Sequence, residues 1–285
     1  MAGGDFNFND LSDVEILPKM ADCQLTKLPK GISGSPTMFQ HGNNILLCGG
    51  YNNEQECLKY DGNAWTSFNS LTEYRTYAAV VPMKNVTYML GGSDSQETSE
   101  MLKENSNAWH QGPSIPKPGL DSGCAVRISD HEILVIGGFQ TDSRILKLNT
   151  YDHTWSSPSI QLHQGRSFHS CIVFNDKVII TGGYDDYGAN HLISTEIIEI
   201  GKDVLTVRNG GNLMKRRRNH GMGIVILDNV PTVIAFGGRN SVEYIDTVEI
   251  WNDDSESWAT SSSITLEQSK REFGFASVST ELLCP

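Results

Sequence analysis

Short apolar runs separated by polar turns dominate the chain, and they recur in one form. ILLCGG ends at Gly49-Gly50, TYMLGG at Gly91-Gly92, ILVIGG at Gly137-Gly138, VIITGG at Gly182-Gly183 and IAFGG at Gly237-Gly238. Such runs, bounded by turn residues, predict buried strands. The steps between doublets are 42, 46, 45 and 55 residues, so the chain carries an internal repeat. Two glycines at a strand end allow positive φ without steric cost and let another backbone or a ring pack against them.

A second marker runs in phase. Trp65, Trp109, Trp155 and Trp258 follow a doublet by 15 to 20 residues, each after a polar turn (YDGNAW, KENSNAW, NTYDHTW, WNDDSESW). A large ring at a fixed offset from a side-chain-free doublet suggests a knob meeting a hole between neighbouring units. The fourth unit has no Trp, and Val204 or Val207 is expected to fill that space with weaker packing. Polar hairpin turns such as His41-Gly42-Asn43-Asn44, Met83-Lys84-Asn85 and Phe174-Asn175-Asp176-Lys177 join the first and second strands of each unit.

The doublets, the downstream Tyr or Trp and the Arg that opens several units resemble kelch-repeat β-propellers. Phrases such as TEIIEI and the LLCP end resemble stand-alone kelch proteins of invertebrates. The resemblance implies an all-β fold: a six-bladed kelch-type β-propeller with four antiparallel strands per blade. Residues 1–12 read as a flexible tail and 13–285 as one domain. Asp13-Val14-Glu15-Ile16-Leu17 matches the third strand of a unit and Cys23–Pro29 the fourth. Phe273–Val278 matches the first strand, and Glu281-Leu282-Leu283-Cys284 matches Ile45–Cys48, with Pro285 standing where a sixth doublet would be. The last blade is therefore expected to close from both termini, from about 13–29 plus 272–285, which leaves no open blade interface.

Up-and-down strands place the loops after the doublets and the crossovers between units on one face, the candidate working surface. Arg75, Arg166, Arg217 and Arg271 stand near the ends of crossovers in an R-x-x-small/His form. In kelch propellers that act as substrate adaptors of ubiquitin ligases, arginines at similar places bind acidic peptides, and the resemblance implies that role here. The competing reading ties adjacent crossovers through guanidinium hydrogen bonds to carbonyls, since a five-donor fork suits both tasks. Tyr51, Tyr77, Phe139, Tyr184 and Arg239 would add contact area around the mouth. His169 and His220 occupy equivalent places in adjacent units and join the candidate ligand site. A metal pair is disfavoured because no further ligand stands in register. The basic run Met214–Arg218 forms a local positive spot at the fourth-to-fifth crossover.

Composition narrows the function. Of 285 residues, 38% are apolar and 20% charged, and 27 are glycine, as a turn-rich β protein requires. A net charge of −12 argues against general nucleic-acid or anionic-membrane binding, and no apolar run reaches the length of a membrane span. No phosphate loop, G-x-S-x-G elbow or H-E-x-x-H stands in the sequence, so no enzyme activity, metal or cofactor is expected. A monomeric, non-enzymatic protein-interaction module is the leading expectation, holding a protein or peptide partner over the channel mouth. The alternatives are a secreted recognition or glycan-binding propeller and a metal-dependent propeller enzyme. Cys48, Cys124, Cys171 and Cys284 read as small buried apolar residues, and a Cys23–Cys57 bridge is conceivable. Asn85-Val86-Thr87 is one glycosylation sequon, on the face away from the arginines. The start, MAGGDFNFND, reads as neither signal nor transit peptide, which fits a cytoplasmic protein or a mature secreted form.

Overall fold

The computed structural model describes residues 1–6, 9–19, 25–140, 143–185, 190–201, 204–278 and 283. A short hairpin comes first, β1 (Asp5–Phe6) with β2 (Asn9–Asp10). Five four-stranded antiparallel sheets follow, each in sequence order from its innermost strand outward. The first holds β3 (Thr37–His41), β4 (Asn44–Cys48), β5 (Cys57–Tyr60) and β6 (Trp65–Phe68). The second holds β7 (Ala79–Pro82), β8 (Val86–Leu90), β9 (Ser99–Lys103) and β10 (Trp109–Gln111). The third holds β11 (Cys124–Arg127), β12 (Glu132–Ile136), β13 (Ile145–Asn149) and β14 (Thr154–Ser156). The fourth holds β15 (Ser170–Phe174), β16 (Lys177–Thr181), β17 (Thr195–Ile200) and β18 (Leu205–Gly210). The fifth holds β19 (Gly221–Leu227), β20 (Val230–Phe236), β21 (Thr247–Asn252) and β22 (Ser257–Thr265). The innermost strands adjoin in the order β3, β7, β11, β15, β19 around a central channel. The molecule is an all-β propeller.

Burial explains the sequence pattern. In each second strand the apolar run is buried on both faces, because it lies inside its sheet and between two neighbouring sheets. Outer strands alternate or are half-exposed, as β6 is. The tryptophans open or lie near the start of these outer strands and pack toward the preceding unit, away from the doublets. The Trp109 ring meets Phe39 edge-on at 6.1 Å, and the Trp258 indole N–H donates to Thr195 Oγ1 at 3.1 Å. The Trp65 N–H donates to the Thr26 carbonyl at 3.1 Å. In the fourth unit Leu205 and Val207 fill the corresponding space, whereas Val204 is exposed.

The doublets instead receive the backbone of the next crossover. Gly49 and Gly50 have φ of 73° and 92°, and a Cβ on Gly49 would stand 2.3 Å from the Arg75 carbonyl oxygen. The second glycine of each doublet donates its N–H to a crossover carbonyl: Gly50 to Arg75, Gly92 to Leu120, Gly138 to Arg166, Gly183 to Arg217 and Gly238 to Lys270, all at 2.8–2.9 Å.

A sixth pair obeys the same rule, within the stretch 1–12 that the sequence predicts to be a flexible tail. Gly3 and Gly4 have φ of 67° and 113°, and the Gly4 N–H donates to the Ile32 carbonyl at 2.7 Å. Ala2 is fully buried and bridges both Gly274 and Val14. Residues 1–6 and 9–12 are thus part of the ring, and Gly3-Gly4 stands where Pro285 was expected to stand in for a doublet. In this sixth sector the described residues form bridges rather than a four-stranded sheet. Of the expected Glu281–Cys284 strand and the Cys23–Pro29 strand, residues 281, 282, 284, 23 and 24 lie outside the described residues.

The cysteines differ from expectation. Cys48 bonds Cys57 across β4 and β5, and Cys124 bonds Cys171 between the innermost strands of the third and fourth sheets. Cys57 therefore has a partner other than Cys23, and Cys124 and Cys171 are more than apolar filling.

Candidate binding site at the channel mouth

Three of the four arginines singled out in the sequence lie inside the protein. Arg75, Arg166 and Arg217 are at most 1% exposed. Each side chain enters its own sheet beneath the doublet and meets a buried glutamate on the third strand. Arg75 Nε donates to Glu100 at 2.9 Å, and Arg166 and Arg217 donate through Nη2 to Glu196 and Glu249 at 2.6 Å. Each also donates through Nη1 to the first carbonyl of the doublet: Gly91, Gly182 or Gly237. The second carboxylate oxygen of each glutamate accepts a crossover N–H, from Thr72, His163 or Met214. Such pairs hold one sheet to the next, and this corrects their reading as ligand contacts: a fully enclosed guanidinium cannot reach a ligand.

The sixth sector repeats this device with Lys270, 1% exposed, whose Nζ lies 3.2 Å from Glu15. The Glu15 carboxylate accepts the Glu267 N–H. Lys270, not Arg271, is therefore the structural equivalent of Arg217, and Arg271 corresponds to Arg218. In the two remaining sectors apolar residues fill both places: Ile32 with Leu58, and Leu120 with Leu146. The glutamates were missed in the sequence. Their signal was the recurring acid on the third strand, in SEM, TEI, VEI and again VEI at Asp13–Ile16.

One residue further along each crossover the chain reaches the mouth. Ser33 bridges Tyr51, Ser167 bridges Tyr184, Arg218 bridges Arg239 and Asp5 bridges Arg271. Ser93 and Phe139 donate their N–H groups to the Thr76 and Asp121 carbonyls in the same way. The post-doublet loops and the crossovers do share one face, as the strand order required.

The next residue inward is left-handed in each of these places: Tyr77, Ser122, Phe168, Asn219 and Glu272 have φ of 50–56°, and Gly34, followed by a left-handed Ser35, has φ of 73°. Backbone bonds link most of this ring. Ser35 donates to Glu272, Glu272 to Asn219, Asn219 to Phe168, and Phe168 to Ser122. The Tyr77 and Phe168 rings meet edge-on at 5.3 Å, and the Glu272 carboxylate stands close enough to the Tyr77 hydroxyl for its charge to act on it. Burial pushes the Tyr77 hydroxyl pKa up, with the Glu272 charge adding to it, and burial likewise raises Glu272. Tyr77 therefore belongs to a cover over the axis.

A cavity of about 540 Å³ runs from this ring along the innermost strands. His169 and His220 line it directly ahead of β15 and β19. Burial, then the Arg166 charge, lowers His169 to about 3, and burial and Arg217 hold His220 well below its ordinary value. Both rings are neutral at pH 7. His220 Nε2 is 2.9 Å from Thr181 Oγ1. Among the described residues no three His, Cys, Asp or Glu side chains gather as a metal set.

Charge at the mouth is gathered on one side. Arg218 lies 4.7 Å from the Tyr184 ring centre and 5.5 Å from that of Phe168. Arg239 and Arg271 flank Tyr244 at 5.9 and 5.5 Å. Arg271 is paired with Asp5 at 2.8 Å and Glu272 at 3.2 Å, and these partners outweigh burial to raise its pKa. Arg218 and Arg239 have no carboxylate partner among the described residues, and the Arg239 guanidinium donates through Nε to the Asn240 carbonyl. Burial lowers the Arg218 pKa, and the neighbouring Arg239 and Arg271 charges lower it further. Tyr51 and Phe139, about half exposed, stand elsewhere on the rim. Asn85 is exposed in its hairpin turn at the opposite strand end.

No family model matches the sequence. The chain is 24% identical over 134 residues to spermatocyte protein spe-26 of Caenorhabditis elegans; the match covers 42% of this chain and 23% of that protein. The chain thus spans about a quarter of the length of the curated relative it matches. Among solved structures, YjhT superposes with a TM-score of 0.72 at 13% identity, over 86% of this chain and 87% of that one. At that identity the likeness concerns the fold, and it agrees with the sheet order in making the chain a β-propeller.

Proposed function

We propose that this chain is a six-bladed kelch-type propeller and a non-enzymatic interaction module. It holds an acidic peptide segment of a partner protein against Arg218, Arg239 and Arg271. The observation that carries this reading is the pair Arg218 and Arg239: two guanidiniums on aromatic rings beside Arg271, neither of the two bonded to a carboxylate among the described residues. Clustered cations in an otherwise acidic protein are held at an electrostatic cost that an anionic ligand relieves, and partly desolvated arginines give charge-assisted, bidentate bonds to carboxylates. Tyr184, Phe168 and Tyr244 supply the flat surfaces that accompany such contacts. Six equivalent crossover–doublet joints support the blade count, and the doublets with their in-phase tryptophans support the kelch assignment.

The test is binding of a panel of Asp/Glu-rich peptides to the wild type and to Arg218→Glu/Arg239→Glu. Binding that weakens with salt and falls at least tenfold in the variant is expected. Equal binding by both proteins refutes the site. A second reading, recognition outside the cytosol, is favoured by the two disulfides, since such bonds persist in oxidising compartments. Intact mass of the native protein, alkylated before and after reduction, decides it: four or more thiols released by reduction support that placement, and no mass change excludes it.

A further inference from the structure

The central channel is walled by uncharged residues. Its cavity of about 540 Å³ is lined by the innermost strands of all five sheets, and no Asp, Glu, Lys or Arg stands among the described residues that line it. Yet 20% of the whole chain is charged. The two imidazoles in the wall are neutral at pH 7 as well, held so by burial first and then by Arg166 for His169 and Arg217 for His220. An ion entering this space would leave water without gaining a partner.

One polar atom in the wall is left over. His220 is 4% exposed and lines the cavity, with its Nε2 2.9 Å from Thr181 Oγ1. The Thr181 hydroxyl also lies 3.1 Å from Met222 Sδ. If that hydroxyl donates to the ring, Nδ1 carries the proton. If it donates to the sulfur, Nε2 donates to Thr181 and Nδ1 is a bare acceptor. In either tautomer His220 Nδ1 has no hydrogen-bond partner among the described residues. A buried polar atom of this kind is costly until something pairs with it.

The walls are fixed in advance. The Cys124–Cys171 bond ties β11 to β15 within the lining, with the Cα atoms 6.1 Å apart. At the mouth end Phe168 donates its N–H to the Ser122 carbonyl and Asn219 donates to the Phe168 carbonyl, which holds the cover in place. A preformed cavity within about 300–1,000 Å³, largely apolar and with few polar groups, has the form of a small-molecule site.

We propose that the channel is a second binding site, which takes an uncharged, largely apolar small molecule whose one hydrogen-bonding group meets His220 Nδ1. It does not depend on the acidic-peptide reading, because Arg218 and Arg239 do not line the cavity.

Two matched pairs of probes test the proposal on the full 285-residue protein. One pair is decanamide and decanoate; the other is N-phenyl-1-naphthylamine and 8-anilinonaphthalene-1-sulfonate. Each pair shares a skeleton and differs in charge. At pH 7 each neutral member is expected to bind saturably at one site, at least tenfold tighter than its anionic counterpart. In protein with carbon-13-labelled methionine methyls, the bound neutral probe should show nuclear Overhauser contacts to the Met222 methyl, because Met222 borders the channel. The variant His220→Leu should weaken decanamide about fivefold. Failure of both neutral probes to bind up to about 1 mM overturns the proposal. Equal binding of neutral and anionic members, or binding without contact to Met222, overturns it too. Unchanged decanamide affinity in a folded His220→Leu protein refutes the assigned hydrogen bond, and if that variant does not fold, the Met222 contacts and the charge preference still decide.

Discussion

Arg217 and Arg218 are neighbours in sequence and opposites in use. Arg217 is fully buried, its guanidinium held by Glu249 and two backbone carbonyls. Arg218 turns to the mouth, lies on Tyr184 and Phe168, and has no carboxylate partner among the described residues. The same division separates Lys270 from Arg271. In a strand successive side chains point to opposite sides, and the crossover uses that alternation to send one cation inward and the next outward. An arginine in a crossover motif therefore has a structural or a recognition role according to its phase by one residue, and residue type alone does not say which.

The largest effect that would test this contrast is removal of a buried cation. Arg217→Met leaves Glu249 enclosed without its partner, and a loss of about 3–5 kcal/mol in denaturant unfolding is expected. The double variant Arg217→Leu/Glu249→Leu copies the Leu120–Leu146 joint and should recover most of that loss. If it is no more stable than the single variant, the ionic and apolar joints are not equivalent solutions.

Acid should sharpen the contrast next. His169 titrates near 3 in the folded protein, after burial and then the Arg166 charge, against an unfolded value near 6.5. A depressed histidine means that the unfolded chain binds the proton first. Its contribution is therefore complete above pH 6.5 and is lost as pH falls from there toward 3. The slope is about 1.4 kcal/mol per pH unit for that ring, read from urea midpoints between pH 7 and 5. His169→Gln should flatten the dependence, whereas Arg218→Ala should leave it in place.

Gly182→Ala comes third. Its Cβ would stand 2.4 Å from the Arg217 carbonyl at a φ of 58°, and a loss of about 1–3 kcal/mol is expected from the thermal midpoint. The smallest effect belongs to the mouth. Arg218→Ala and Arg239→Ala should each change stability by less than about 1 kcal/mol while weakening capture of acidic peptides. A larger loss of stability would make these arginines part of the scaffold.

The repeat, the strand order and the shared face of loops and crossovers were legible in the sequence because each depends on local chemistry. Apolar runs mark strands buried on both faces, and paired glycines mark a backbone approach at positive φ. What was not legible depends on pairing between distant residues. Glu100, Glu196 and Glu249 lie 25 to 32 residues beyond the arginines they hold, and nothing in either local stretch names the other. Arg271 was aligned one position out because Lys270 takes the buried place. Gly3-Gly4 is hard to read because no apolar run stands before it in the sequence to mark it as a strand end.

The joints between sectors carry a consequence for how such a protein can change over time. Among the described residues four are ionic, at Arg75, Arg166, Arg217 and Lys270, and two are apolar, at Ile32 and Leu120. Either spelling closes the ring, but a half-changed joint leaves a lone charge in the interior. Drift from one spelling to the other must therefore cross a poorly folded intermediate or change both letters together. Within any one joint the two positions behave as a single inherited character, and comparing them one column at a time would hide that unit.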